Sequence, residues 1–477
     1  MSNLRVSLYR EGTVVRVGTI ERNNTDGSIF RYLNEYADDS AAIPLSQSLP
    51  LSTNAYSEDQ FRPYFEGLLA EGNAREALAA ELHVRETDYL AILAQCGRDC
   101  IGDVIIEDDS DSNPQITSAK NSYEEVSNEQ LFRFFRSIPD MSRENVGSRL
   151  SLAGAQSKIG LAHMPGSPMS QGWLKPRGLA ASTHILKTGT IEKLVGLEFL
   201  CMWAAKKCGV KVPEVTLLDF GKPVLAVERF DRVVTIDEEG FRVERIHQED
   251  FAQAFGMTPA SKYVELPNGS IASIAQWIRS YAAKPTEDLS QFAKAVCFSY
   301  LIGNCDAHLK SISIMYRVGK RGPIRRLSPA YDLVSTSFFD RFSKELAMAV
   351  GGARDIRDVK PSSFDLLASS LGITSSYLRS IVAPIADNAE AAIREAGSES
   401  LGPSQEFLPY LADDLQEDIA PAPSRPRGVL QSLAACILAE KAIQRPPDIA
   451  SSRTQVGETT QPSRPAFPAC ACRRQSA

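Results

Sequence analysis

The stretch Leu301-Ile302-Gly303-Asn304-Cys305-Asp306-Ala307-His308-Leu309-Lys310 runs into an alternating segment, Ser311 to Tyr316, and then into Leu327-Ser328-Pro329-Ala330-Tyr331-Asp332. Just before it, Leu289 to Gly303 reads as a helix. Ser290 is a fair N-cap, Phe292, Val296 and Tyr300 make an apolar face, and Gly303 is the stop. Asp306 therefore stands on a loop just past a rigid element, a good mount for a reactive group. Asp332 follows 26 residues later (332 − 306), after a strand, a Gly-containing turn over Val318 to Gly322 and a return strand. Such a hairpin brings both carboxylates to one end of a sheet. A lone loop aspartate is ordinarily a turn former. As a pair, one carboxylate can orient a hydroxyl nucleophile and the other can hold a metal on a nucleotide, which is the equipment of Mg-dependent phosphoryl transfer.

Working outward, Ser151-Leu152-Ala153-Gly154-Ala155-Gln156-Ser157-Lys158 precedes the apolar run Ile159 to Ala162. Small residues let backbone N–H groups approach phosphates, although an ordinary hairpin turn fits the pattern equally. Thr183-His184-Ile185-Leu186-Lys187 reads as a strand ending in lysine, and the helix expected over Ile191 to Cys208, capped by Gly209, carries Glu198 on its apolar face. A buried carboxylate needs a partner, and Lys187 is the candidate; the alternative leaves Glu198 at the edge of the face, reaching water. Val227-Glu228-Arg229-Phe230-Asp231-Arg232 ends a strand where a kinase hinge would offer backbone to adenine, and equally where any strand ends in an ion pair. Asp219-Phe220-Gly221 matches a kinase metal motif in letters only, because it precedes the catalytic loop. It fits a turn between strands Val215 to Leu218 and Val224 to Arg229.

At 477 residues the chain is too long for one compact core, which predicts two or three domains. Its hydrophobic share of 43% and charged share of 23% are those of a globular protein, and a net charge of −7 argues against a general polyanion-binding surface. No apolar run approaches the roughly 18 residues of a membrane span. Met1 to Arg5 lacks the apolar core of a secretory signal, and the nine cysteines form neither a disulfide framework nor a zinc set. The expectation is a reduced, cytoplasmic protein.

Residues 1–105 form an N-terminal subdomain with strands Leu4 to Leu8 and Val14 to Ile20 about an Arg10-Glu11-Gly12 turn. A helix with Phe61, Tyr64, Phe65, Leu68 and Leu69 on one face follows, and Gly72 is its expected stop. The acidic run Glu107 to Pro114 marks a solvated linker over 106–123. A first lobe is expected over 124–235 and a mainly helical second lobe over 236–401. From 402 to 477 the character changes: residues 420–477 hold eight prolines, and eight Lys/Arg against three Asp/Glu. That composition predicts mostly disorder, with Val429 to Ile443 as the helical exception.

The order AGAQSK (153–158), HILK (184–187), VERFDR (227–232), RIHQED (245–250), GNCDAHLK (303–310) and SPAYDL (328–333) resembles the HipA family, the serine/threonine-protein kinase toxins of bacterial toxin–antitoxin systems. The likeness covers roughly residues 1–400. It implies an α+β, two-lobed protein-kinase-like core with a small N-terminal α/β subdomain. By the same resemblance Asp306 is the catalytic base, Asp332 binds Mg²⁺, and Lys187 contacts ATP phosphates beneath a phosphate loop of Ala153, Gly154, Ala155, Gln156, Ser157 and Lys158. Glu228, Arg229 and Phe230 form the adenine hinge, His308 and Lys310 lie beside the nucleotide, and Tyr331 lies next to the metal. Ser151 matches the autophosphorylated serine that silences family members. The implied partners are a helix-turn-helix antitoxin, which bridges the toxin to operator DNA, and an aminoacyl-tRNA synthetase substrate, typically the glutamyl enzyme. One position departs: where the family has a metal-binding asparagine, this chain has Ser311, a shorter and poorer ligand. A weakened relative acting mainly as an antitoxin-binding co-repressor is the second reading, and a small-molecule kinase of related fold is a third.

Overall fold

A computed structural model of the chain describes residues 3–23, 27–110, 122–154, 156–189, 191, 193–237, 240–319, 322–398 and 408–419. Ala155 and the segment Val429 to Ile443 lie outside them. Strands Leu4–Arg10 and Thr13–Glu21 pair across a tight turn whose residues Glu11 and Gly12 both have positive φ, 48° and 76°, the geometry that matches strand twist. They sit in a five-stranded antiparallel sheet with Ile29–Tyr32, Tyr56–Ser57 and Val104–Asp108. Leu4, Val6 and Leu8 are buried from this sheet against Phe61, Phe65 and Leu93 of helices Glu58–Gly67 and Tyr89–Cys96. Gly72 does not end the first of these helices. That helix closes at Gly67, and Gly72, with φ +53°, opens the next one, Gly72–Glu81. The acidic linker also begins later than expected. Glu107 and Asp108 belong to the strand, and Glu107 is buried between Arg5 and Arg98.

A six-stranded antiparallel sheet forms the first lobe, in the order Val215–Asp219, Pro223–Glu228, His184–Lys187, Lys158–His163, Trp173–Arg177 and Ser122–Glu125. The helix Leu194–Lys207 buries Leu197, Leu200, Cys201, Ala204 and Ala205, packs on this sheet, and is followed by Gly209 at φ +75°. Asp219-Phe220-Gly221 is a turn, with Gly221 at φ +78°. A hairpin, Arg232–Asp237 with Gly240–Arg245, spans the expected 235/236 boundary, so the lobes do not part there.

The second lobe is built on Ser270–Tyr281, Pro285–Leu301, Pro361–Leu371 and Ser375–Ser398. Ser290 does not cap the helix before Asp306, which starts a turn earlier at Pro285, where the missing N–H costs nothing. Gly303 follows it at φ +70°. The hairpin Ser313–Gly319 and Gly322–Leu327 gains a third strand, His247–Asp250, from the RIHQED motif. Part of the expected disordered tail is ordered: Leu408–Ile419 is a helix whose Leu408, Leu411, Ala412 and Leu415 are buried in the same core as Leu194–Lys207. Among the described residues no helix is long and apolar enough to cross a membrane.

Candidate active site

Between the six-stranded sheet and the helical lobe lies a cleft of about 530 Å³, a size suited to a small-molecule ligand. Lys187 leaves the end of its strand and points into it. Its Nζ contacts Glu198 from the helix behind and lies 3.0 Å from Asp332 Oδ1 in front. Lys187 and Glu198 are buried, whereas the Asp332 side chain is 48% exposed. Asp332 adopts φ +60°, a left-handed conformation that costs a non-glycine residue energy and tends to persist where function demands it. Lys187 holds the Asp332 carboxyl well below the usual carboxylate range. Burial pushes Glu198 the other way, up to about 7, against the pull of the same ammonium. Burial alone would lower Lys187, but the two carboxylates raise it, so its charge is secure.

Ala153, Gly154, Gln156, Ser157 and Lys158 line the same cleft. Lys158 Nζ folds back to the Ala153 carbonyl at 2.6 Å, and burial, with Lys187 nearby, lowers its pKa to about 8. The buried Gln156 Nε2 has no hydrogen-bond partner among the described residues. An unmet donor in a cleft also lined by Lys158 and Lys187 suits a polyanionic ligand. Ser151, at the base of this loop, is buried and donates to the Leu68 carbonyl at 3.1 Å.

Asp306 is exposed at the cleft's other wall, where its backbone N–H donates to Asn304 Oδ1 at 3.1 Å. His308 is buried, and burial holds it below its ordinary pKa. Its Nδ1 lies 2.9 Å from Ser311 Oγ. Lys310 reaches the cleft but is engaged, with Nζ 2.7 Å from Asp250 Oδ2 and 3.1 Å from the Gly67 carbonyl. Tyr331 bonds through its hydroxyl to Ser313 Oγ and the Lys310 carbonyl, and its ring packs on Phe230 with centroids 5.4 Å apart. Ser311 lines a second cavity of about 40 Å³ next to the Asp306 loop, with Phe292, Ile312 and Met348.

The segment Val227 to Arg232 behaves differently from its neighbours. Glu228 is exposed and Phe230 half-buried at the cleft, which Arg229 also lines, but the Arg229 guanidinium is committed to other protein groups. It bonds Asp231, Ser182 Oγ and the Cys100 carbonyl. Arg232 joins it with bonds to Asp99 and the Gly102 carbonyl, and Asp231 accepts from the Gly102 N–H at 2.7 Å. Any adenine contact from Arg229 is thus a backbone contact. Sequence reasoning missed Lys262 and Tyr263, which reach the cleft from a loop that carries no motif. Glu71 lines the cleft as well, and its carboxylate meets Lys262 at 2.8 Å.

A lysine–glutamate pair under a sheet, a loop of small residues above it and two carboxylates on the opposing lobe define a protein of the two-lobed kinase-like class. Residues 150–393 match the HipA-like C-terminal domain and residues 8–107 the HipA N-terminal domain. The chain belongs to the HipA family. It is 31% identical over 399 residues to Y4mE of Sinorhizobium fredii, which carries a kinase name, covering 81% of this chain and 90% of that one. It is 28% identical over 375 residues to the serine/threonine-protein kinase toxin HipA of Shewanella oneidensis, covering 74% and 81%. Among solved structures, a chain of the S. oneidensis HipA, HipB and operator DNA complex matches with a TM-score of 0.70 at 25% identity, covering 87% of this chain and 96% of that chain.

Proposed function

We propose that this chain is an ATP- and Mg²⁺-dependent serine/threonine-protein kinase and the toxin of a toxin–antitoxin pair. The observation that carries the reading is the bridge from Glu198 through Lys187 to Asp332 in a cleft that also holds Asp306. Lys187, Lys158 and the Gln156 amide bind phosphate oxygens, and Glu198 holds Lys187 in place. Mg²⁺ commonly takes one or two carboxylates plus phosphates, and here Asp332 would hold it, where it would neutralise charge on the triphosphate. Asp306 orients the substrate hydroxyl and accepts its proton as that oxygen bonds the terminal phosphorus and the bond to ADP breaks. His308 and Tyr331 flank the site, and Glu228, Arg229 and Phe230 offer hinge backbone to adenine.

Ser151 is the proposed autophosphorylation site. In the closed loop its hydroxyl faces the Leu68 carbonyl, so the loop must leave for Ser151 to react. A phosphate dianion cannot return to a buried carbonyl without prohibitive desolvation, which keeps the loop out and the enzyme silent. The proposed substrate is an aminoacyl-tRNA synthetase such as the glutamyl enzyme, and the proposed partner is an antitoxin like the HipB of the Shewanella complex, through which DNA is reached indirectly. The second reading, a weakened relative serving chiefly as co-repressor, is favoured by Ser311. Its hydroxyl is spent on His308, and it lines the small cavity next to the Asp306 loop.

Incubation with Mg-ATP followed by intact and peptide mass analysis separates the two. One phosphate at Ser151, gained far more slowly in K187M, supports the kinase. No transfer at any metal concentration supports the co-repressor. D306N is expected to lower turnover roughly 10²–10⁴-fold.

A further inference from the structure

The segment between the turn Pro259–Ser261 and helix Ser270–Tyr281 places two adjacent side chains in the cleft. Tyr263 Oη donates to Asp306 Oδ1 at 2.7 Å, and its ring stands edge-on to His308 with centroids 5.3 Å apart. Lys262 Nζ is 2.8 Å from Glu71 Oε2. Glu71 belongs to the N-terminal body, and its backbone N–H donates to the Gly154 carbonyl at 3.0 Å. A continuous chain of contacts therefore runs from the phosphate loop through Glu71, Lys262 and Tyr263 to Asp306.

Asp306 is an exposed carboxylate on a loop, and Tyr263, 47% exposed, is the side chain that bonds it. A reactive group needs its geometry held within about 0.5 Å, and a carboxylate at the cleft mouth does not achieve that by packing. We propose that Tyr263 is the positioning residue for Asp306. It fixes one carboxylate oxygen so that the other faces the incoming hydroxyl, and the Glu71–Lys262 pair fixes the tyrosine's own loop. The N-terminal body is on this view a working part of the catalytic machinery, and the proposal rests on the phosphotransfer reading above. The competing role for the same bond is a plug, with the phenol occupying the place of the substrate hydroxyl; the two roles have opposite kinetic signs.

The test compares full-length wild type, Y263F, D306N and the double variant. Turnover at saturating nucleotide in Y263F is expected to fall on the order of tenfold to a hundredfold with KM for ATP unchanged. On the D306N background Y263F is expected to add nothing, since a residue acting only through Asp306 has nothing left to position. Backbone hydrogen exchange over residues 304–308 is expected to rise in Y263F with Tm unchanged. Turnover in Y263F at or above wild type, unchanged exchange, or a further loss in the double variant each overturns the proposal. If wild type transfers no phosphate while exchange still rises in Y263F, the tether stands and the phosphotransfer reading falls.

Discussion

Among the described residues, two of the clusters of buried charge end differently. At the junction of the N-terminal body and the first lobe, Asp99, Arg229, Asp231, Arg232 and Arg245 have side chains no more than 5% exposed. Their charges bond one another, the Ser182 hydroxyl and the carbonyls of Arg98, Cys100 and Gly102. In the cleft, Lys187, Glu198 and Asp332 are built from the same kinds of side chain, yet Asp332 stays half open and strained, Gln156 keeps an unmet donor, and the pKa values of Glu198 and Lys158 move toward neutrality. The junction cluster answers each charge with an opposite one and, although Arg232 Nε and Arg245 Nε stay unmet, keeps its side chains out of reach of solvent. A binding cluster keeps some hydrogen bonds for a guest.

The sharpest way to break this contrast is D99A. It leaves three buried arginines short of a carboxylate, and arginine cannot shed its charge near neutral pH, so stability should fall by about 3–5 kcal/mol in urea denaturation. A loss under 1 kcal/mol would mean the cluster is not a rivet. Next comes K187M. Phosphoryl transfer should drop about 10²–10³-fold, the scale for one preorganised electrostatic donor. Urea stability should change far less than in D99A, because Glu198, already raised to about 7, can take up a proton once its partner is gone. Equal destabilisation of K187M and D99A would erase the distinction.

Smaller again is a pH effect at Lys158. Its lowered pKa of about 8 means the ammonium is lost as pH rises through that value, and a bound polyphosphate favours the protonated form. ATP affinity should therefore weaken up to about tenfold per pH unit above 8, with proton uptake on binding seen by calorimetry in buffers of differing ionisation enthalpy. K158R, which stays charged, should flatten that slope. The smallest expected effect is S311N, a several-fold rise in turnover with a lowered Mg²⁺ requirement. An unchanged metal dependence would remove position 311 from the metal argument.

Much of the cleft was legible because its signals are local. Gly209, Gly221 and Gly303 mark chain reversals at positive φ, alternation marks the hairpin beginning at Ser313, and an unexplained glutamate on an apolar helix face asks for Lys187. What was not legible lies in contacts of long sequence separation. The VERFDR letters give no hint that Arg229 and Arg232 would turn to Asp99 and Cys100, some 130 residues earlier. Gly72 looked like a stop because an αL glycine also begins a helix after a sharp turn, and pattern alone does not tell entry from exit. The helix Leu408–Ile419 was hidden by the proline-rich sequence around it, although Leu408, Leu411, Ala412 and Leu415 fall on one face. Tyr263 had no local signal at all; its bond to Asp306 spans 43 positions.

The most direct measurement is calorimetric titration of the full chain with ATP, with and without Mg²⁺, in wild type and K187M. Saturable binding of one equivalent, tightened by the metal and clearly weakened by removing the ammonium between Glu198 and Asp332, is the predicted result. Binding of equal strength in K187M, or no binding in wild type, would contradict the claim that this cleft is built to hold a triphosphate.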